Sequence, residues 1–168
     1  MTRIILTFVT IVILAFLLFV LQMIPTGLMF DKSVDSGQNL LLSYQTFYYQ
    51  SNVTIVNLTE GFIIGVVTDP DNLNFGKIPA GGSYGTRFIN MTNSEDEKVF
   101  VKLGAYGNIS HLVQFEKNNF FLNTGEAVEL EIILNTTRAT KTGDYTGVIE
   151  LIIIKPRNPL ATPFLSLI

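Results

Sequence analysis

Residues 127–134 read AVELEIIL, and residues 145–155 read YTGVIELIIIK. In both stretches apolar residues occupy every second position, a period that is typical of β-strands with one face towards a core. The residues predicted to face the core are Val128, Leu130, Ile132 and Leu134 in the first stretch and Ile149, Leu151 and Ile153 in the second. These two stretches predict that the chain folds around β-sheets.

The same signal recurs along the chain after residue 38. Short runs rich in Val, Ile, Phe, Tyr and Thr are separated by Gly, Pro, Asn and Asp, a spacing typical of β-sandwiches. The other predicted strands are Leu40–Tyr49, Val53–Leu58, Phe62–Val67, Leu73–Phe75, Tyr84–Met91, Lys98–Ala105, His111–Phe115 and Phe120–Leu122. In Lys98–Ala105 we expect Val99, Val101 and Leu103 to face the core. Because no ten-residue helical stripe intervenes, a parallel α/β sheet is not expected.

The second face of residues 145–155 is also largely apolar, since it carries Val148, Ile152 and Ile154. An apolar outer face of this size should be covered. The sequence offers three candidates for the cover, which are Leu40–Tyr49, the apolar tail and another copy of the protein.

A separate apolar stretch, IILTFVTIVILAFLLFVLQMI, runs from Ile4 to Ile24 without a charged residue. As a helix, its 21 residues would measure about 30 Å, which is the thickness of a bilayer core. Pro25 and Gly27 then end the helix. A cleaved signal has a shorter apolar region and a small-residue cleavage site, which this stretch lacks. We therefore expect a transmembrane anchor, with a cleaved leader and a buried soluble helix as alternatives.

The region that follows this stretch is predicted to lie outside the cytoplasm. Arg3 precedes the helix, and the positively charged flank stays inside. Five N-x-[S/T] sequons lie downstream of the helix, and such sequons are acceptors for N-linked glycans. The predicted glycosylation sites are Asn52, Asn57, Asn90, Asn108 and Asn135. The alternative is that these asparagines are only polar loop and strand residues.

Three segments of the chain follow one another in an order shared with a known group of domains. Residues 71–87, DNLNFGKIPAGGSYGTR, are followed by Asn93, then by FFLNTGE at 120–126 and GDYTG at 143–147. This order resembles the immunoglobulin-like domains of prokaryotic surface proteins and the ASH/MSP-type modules. The resemblance covers about Val66–Lys155 and implies a sandwich of about seven strands used for adhesion or assembly. With the anchor, the lack of Cys and the Asn/Ile-rich composition, it suggests an archaeal surface protein.

These observations divide the chain into four parts. Residues 1–27 are the predicted transmembrane helix, and residues 28–60 are a membrane-proximal segment that adds β-strands. Residues 61–157 are the immunoglobulin-like sandwich, and residues 158–168 are an apolar tail without a charged side chain. The tail is expected to pack on its own domain or to insert into a neighbour.

Composition excludes several classes of function. A net charge of −3 argues against a nucleic-acid partner, and the absence of Cys excludes disulfides and thiolate metal sites. His111 is the one imidazole, and no nucleophile motif accompanies it. The run Glu95–Glu97 could help hold Ca²⁺ but reads more simply as a charged hairpin loop. We expect no cofactor, metal, small-molecule substrate or catalytic residue.

The sequence thus predicts a structural or interaction protein at the cell surface. Its expected partners are the lipid bilayer, other envelope proteins and other copies of itself. The alternative is a pilin-like filament subunit, with its helix in the filament core or its β heads joined by strand exchange. Against the filament, only three residues precede the apolar stretch, and no charged leader ending in Gly is present.

Overall fold

We analysed a computed structural model of the chain, which describes residues 34–38, 41–57 and 72–158. These residues are mainly β, as predicted. The strands are β1 (Val34–Gln38), β2 (Leu42–Val56), β3 (Asn72–Pro79), β4 (Tyr84–Thr92), β5 (Val99–Gly107), β6 (Val113–Phe115), β7 (Phe120–Leu122), β8 (Ala127–Asn135) and β9 (Gly143–Pro156). The predicted helix Ile4–Ile24, the predicted strand Phe62–Val67 and residues 159–168 of the tail lie outside the described residues.

The strands form two sheets. The larger sheet has the order β1-β2-β9-β5-β7, and β3 also pairs with β2; the smaller has the order β4-β8-β6. All these pairs are antiparallel except β2–β3, which is parallel. β1 pairs with residues 43–47 of β2 and β3 with residues 50–56, so both strands lie along the same edge of β2.

The longest ladder in the described sheets joins β2 to β9. It runs without interruption from Leu42, opposite Pro156, to Ile55, opposite Gly143. The prediction of two strands, Leu40–Tyr49 and Val53–Leu58, was therefore wrong, because one strand passes through the polar residues Gln50, Ser51 and Asn52. These residues pair with β9 on one side and with β3 on the other, so tertiary pairing overrides their low strand propensity.

The core lies between the two sheets. Its fully buried side chains include Val99 and Val101 from β5, Leu130 and Ile132 from β8 and Ile149 from β9, each at most 1% exposed. The predicted inward faces of these three strands are thus confirmed. The larger sheet and the smaller sheet share one apolar layer, an arrangement consistent with a β-sandwich.

The predicted strand His111–Phe115 is only half strand. Residues 110–112 form a 3₁₀ turn, and β6 begins at Val113. Ile109 and Leu112 are both buried, and the Leu112 amide donates to the Ile109 carbonyl at 2.9 Å. A three-residue spacing places both side chains on one side of a 3₁₀ turn, whereas a strand would not.

The second face of β9 is buried as well. Val148, Ile152 and Ile154 are 6%, 5% and 2% exposed. Ile152 and Ile154 form a separate apolar cluster with Leu42 and Phe100. Leu42 belongs to the neighbouring strand of the same sheet. Strand β2, one of the candidates for the cover, therefore extends this face and does not lie over it.

Asn93 follows directly after the last residue of β4 and holds this end of the smaller sheet in place. Its side chain is 3% exposed, and its amide nitrogen donates to the carbonyls of Glu97 and Leu122 at 3.0 and 3.1 Å. Its side-chain oxygen accepts from the Glu95 amide at 3.0 Å. One buried amide thus satisfies backbone groups of the 94–98 loop and of β7.

We predict that Asn93→Ala lowers the free energy of unfolding by about 2–3 kcal/mol, because it leaves buried backbone groups without partners. Urea denaturation of the purified protein measures this loss. The matched control is Asn123→Ala, whose exposed side chain bonds to the exposed Glu126. A loss for Asn93→Ala no larger than that of the control would contradict the assignment.

Candidate interaction surface

In the part of the chain that the structure describes, the smaller sheet has an unpaired edge at β4. Among the described strands, β4 pairs with β8 alone. The β4–β8 register is continuous over both strands. Two further backbone hydrogen bonds extend it, from the Thr136 amide to the Ser83 carbonyl and from the Asn93 amide to the Glu126 carbonyl, each 2.9 Å long. Backbone groups alternate along a strand. The odd-numbered residues therefore bond to β8, and the even-numbered residues from Tyr84 to Thr92 direct their N–H and C=O groups to the open edge.

Arg87 occupies one backbone group in the first half of this edge, the Thr86 carbonyl. Its Nε donates to the Asn74 carbonyl at 2.7 Å, and a terminal nitrogen donates to the Thr86 carbonyl at 2.8 Å. The guanidinium also lies 5.7 Å from the ring centre of Phe75, and partial burial lowers its pKa. Beyond Arg87, no described strand pairs with the outward backbone groups of Phe88, Asn90 and Thr92, and we call Phe88–Thr92 the open part of the edge.

A groove between the two sheets lies beside this open part. It consists of two adjoining cavities of about 520 and 330 Å³, which share the lining residues Gln45, Glu95, Val99 and Ile153. The first extends to β1, and the second extends along residues 89–95. We refer to these two cavities and the β4 backbone from Phe88 to Thr92 as the edge groove.

The edge groove is mainly polar where it extends to β1, but its part along β4 has a partly exposed apolar floor. Phe47, Tyr49 and Ile153 pack against the main core but remain partly exposed, as does Met91 on β4. On the outer face of β4, Tyr84 and Phe88 are 72% and 51% exposed. An unpaired strand edge beside an apolar groove is the arrangement that accepts an extended polypeptide by β-augmentation. What the site offers chemically is a row of main-chain hydrogen-bonding groups beside a partly apolar groove.

The acidic run Glu95–Glu97 lies at the mouth of the edge groove. Its residues are exposed, and Glu95 forms an ion pair with Lys155 of β9. Over residues 34–38, 41–57 and 72–158, no three His, Asp or Glu side chains converge as metal ligands. The run thus joins β4 to β5 as a charged loop, and its ion pair ties the mouth of the groove to the end of β9.

A buried carboxyl group lies on the opposite face of the larger sheet. Glu150 is 4% exposed, lies opposite Tyr48 of β2 and Gly104 of β5, and accepts a hydrogen bond from the Tyr106 hydroxyl at 3.0 Å. Gly104 leaves room for this pair, since a Cβ there would lie 3.2 Å from the Tyr106 ring. Burial raises the pKa of Glu150, although the hydrogen bonds from Tyr106 and Tyr48 and the charge of Lys102 oppose the rise. This cluster was not predictable from the sequence, where Glu150 is only a single acidic residue among apolar ones.

The five sequon asparagines occupy different environments. Asn52, Asn57, Asn90 and Asn108 are exposed, whereas Asn135 is half-buried and its side-chain nitrogen donates to Gln114 Oε1 at 2.8 Å. The Asn108 side-chain oxygen accepts a hydrogen bond from the Thr146 amide. This bond does not involve the side-chain nitrogen of Asn108, which is the atom that a glycan would modify. Asn57, Asn108 and Asn135 lie at the end of the sheets opposite Glu95, and Asn90 lies on the rim of the edge groove.

His111, the one imidazole, lies in the 3₁₀ turn and is exposed. Its ring centre is 5.7 Å from that of Tyr145. It therefore lies against an aromatic ring at the surface and away from the edge groove.

Comparison of the sequence with protein-family models and with curated proteins finds no match. Among the described residues, no helix has the length and apolarity needed to cross a membrane, and the predicted anchor Ile4–Ile24 lies outside them.

Glu150 should make stability depend on pH. Because its folded-state pKa is raised above the ordinary value of 4.5, its protonated form is favoured by folding. The melting temperature should therefore fall as the pH rises from 4.5 through the folded-state pKa of Glu150. In the Glu150→Gln variant most of this decrease should be absent. Thermal denaturation from pH 4 to 8 measures it, with Glu129→Gln on the exposed face of β8 as the control. Equal slopes for Glu150→Gln and the unsubstituted protein would contradict this assignment.

Proposed function

We propose that this chain is a single-pass surface protein that presents an immunoglobulin-like β-sandwich, of the ASH/MSP type, outside the cell membrane. Its role is structural or binding, in envelope assembly or adhesion, and involves no catalytic step. The observation that carries the proposal is the edge groove, because an open strand edge beside exposed apolar side chains is the arrangement that accepts an extended polypeptide.

Sequence features support the proposed location. Ile4–Ile24 is long enough to span a bilayer and carries no charged residue. Four of the five sequon asparagines downstream are exposed, as acceptors of N-linked glycans must be. The Asn/Ile-rich composition without Cys fits an archaeal envelope. The partners we propose are the lipid bilayer, other envelope proteins and further copies of the chain.

The alternative function is that of a filament subunit, and the open edge of β4 also favours it. A strand supplied by a neighbouring copy would join β heads in a head-to-tail manner, and such heterologous contacts generate open filaments. This alternative differs from the first proposal in its assembly state and not in the fold of the head.

Glycan occupancy tests the external location. In a host that glycosylates extracytoplasmic sequons, intact mass should fall by one glycan for each of Asn52→Gln, Asn57→Gln, Asn90→Gln and Asn108→Gln. We expect little change for Asn135→Gln, because its nitrogen is engaged with Gln114. An unmodified chain in cells that modify a reporter sequon would contradict the external location.

Membrane extraction tests the anchor and the assembly state. The full-length chain should require detergent for extraction, and a variant without Ile4–Ile24 should be released as a folded, β-rich soluble protein. Light scattering of the detergent-extracted chain separates the two functions, since discrete small species support the anchored protein and long polymers support the filament. An unfolded product after removal of Ile4–Ile24 would show that the division between anchor and head is wrong.

A further inference from the structure

We infer that a polar cavity on the larger sheet, on the face that points away from the core, binds the first sugar of an N-linked glycan carried by Asn52. The inference rests on the external location in the proposed function, because N-linked sequons are modified in proteins that leave the cytoplasm. The cavity is a different site from the edge groove, which stays open for its own partner.

The cavity lies where β2, β3 and β9 run side by side. Its volume is about 310 Å³, at the lower end of the range for ligand pockets. The described residues that line it all carry uncharged polar side chains, and they are Gln50, Ser51, Asn52, Asn72, Asn74 and Thr146. Since none is charged or apolar, the lining suits neither an ion nor a lipid. It suits a small neutral ligand that is rich in hydrogen-bonding groups, such as a sugar.

The strand register gathers the amide side chains of this lining into a compact group. Gln50 lies opposite Asn72, and Asn52 lies between Asn74 on one side and Thr146 on the other. Neighbouring strands are about 5 Å apart, and residues two apart in a strand point to the same face. Each side-chain amide offers both donors and an acceptor, which match the adjacent hydroxyl groups of a sugar ring.

Asn52 is the residue that supplies the ligand. It is exposed, it lines the cavity, and it begins the sequon Asn52-Val53-Thr54. A sugar bonded to its side-chain nitrogen therefore starts at the wall of the cavity. A ligand tethered so closely is present at a millimolar effective concentration, so a few hydrogen bonds are enough to hold it. This tether favours the attached sugar over a free saccharide.

A sugar in the cavity would strengthen the attachment of β3. Among the described strands, β3 pairs with β2 alone. The Asn74 carbonyl also accepts a hydrogen bond from Arg87 Nε at 2.7 Å, which ties β3 to β4. Hydrogen bonds from the sugar to Gln50 and Asn72 would add a further link between β2 and β3. We therefore expect the sugar to raise the thermal stability of the protein.

A chemically attached sugar tests the inference without a glycosylating host, because the chain contains no Cys. In the full-length chain, made without glycans and kept in detergent, Asn52→Cys is converted to a mixed disulfide with 1-thio-N-acetylglucosamine. The sugar is then the same number of bonds from Cβ as in an N-linked glycan. Relative to the same variant bonded to methanethiol, the melting temperature should rise by about 3–6 °C. Adding Gln50→Ala and Asn72→Ala should abolish most of this rise.

The matched control is Glu129→Cys, an exposed strand position on β8 that lies outside the cavity. Its sugar and methanethiol forms should melt at the same temperature. The inference is overturned by an equal rise in this control, by no rise in Asn52→Cys, or by a rise that persists without the two amides. Stabilisation of the unmodified chain by free N-acetylglucosamine far below millimolar concentration would assign the cavity to an external saccharide and also overturn it.

Glycopeptide mass spectrometry of the chain from a glycosylating host separates this inference from the proposed function. We expect a glycan on Asn52. A glycan on Asn108 while Asn52 stays bare would overturn the inference and leave the external location intact. No glycan on any sequon, in cells that modify a reporter sequon, would contradict both.

Discussion

The described structure depends on the ladder between β2 and β9. Fourteen residue pairs join Leu42–Ile55 to Gly143–Pro156. β9 then pairs with β5, and β2 pairs with both β1 and β3, so these two strands organise the larger sheet. Because their partners lie about a hundred residues apart, the ladder closes only when both ends of the head are present. The segment before residue 60 thus supplies a central strand of the sheet.

Much of the fold was predictable, because the core faces of β5, β8 and β9 follow the period-two pattern in the sequence. The prediction failed where long-range pairing overrides local composition. Gln50, Ser51 and Asn52 look like a break but are held between β9 and β3, and Ile109 with Leu112 converts half a predicted strand into a 3₁₀ turn. The edge groove could not be predicted either, because the sequence does not show which strand lies at the edge of a sheet. The sequon asparagines were readable from the motif alone, but the bond from Asn135 to Gln114 was not.

The two faces of β9 serve different purposes. One face joins the core between the sheets, and the other carries the buried Glu150 with Tyr48 and Tyr106 among apolar neighbours. The edge groove, which we propose as the binding site, lies elsewhere, where the smaller sheet has fewer described strands than the larger one. Among the described residues, this difference in strand number leaves Phe47 and Tyr49 partly exposed and one edge of β4 without a partner strand, and these features form the interaction surface that we propose.

Hydrogen exchange on the full-length chain tests most directly whether β2 and β9 form one cooperative unit. The amides of residues 43–55 and 144–155 that bond across the ladder should exchange slowly and at similar rates, because they open only when the whole sheet opens. Rapid exchange across residues 43–55 while residues 99–156 stay protected would contradict the account, since it would show that the early segment is only attached to a head that is stable without it.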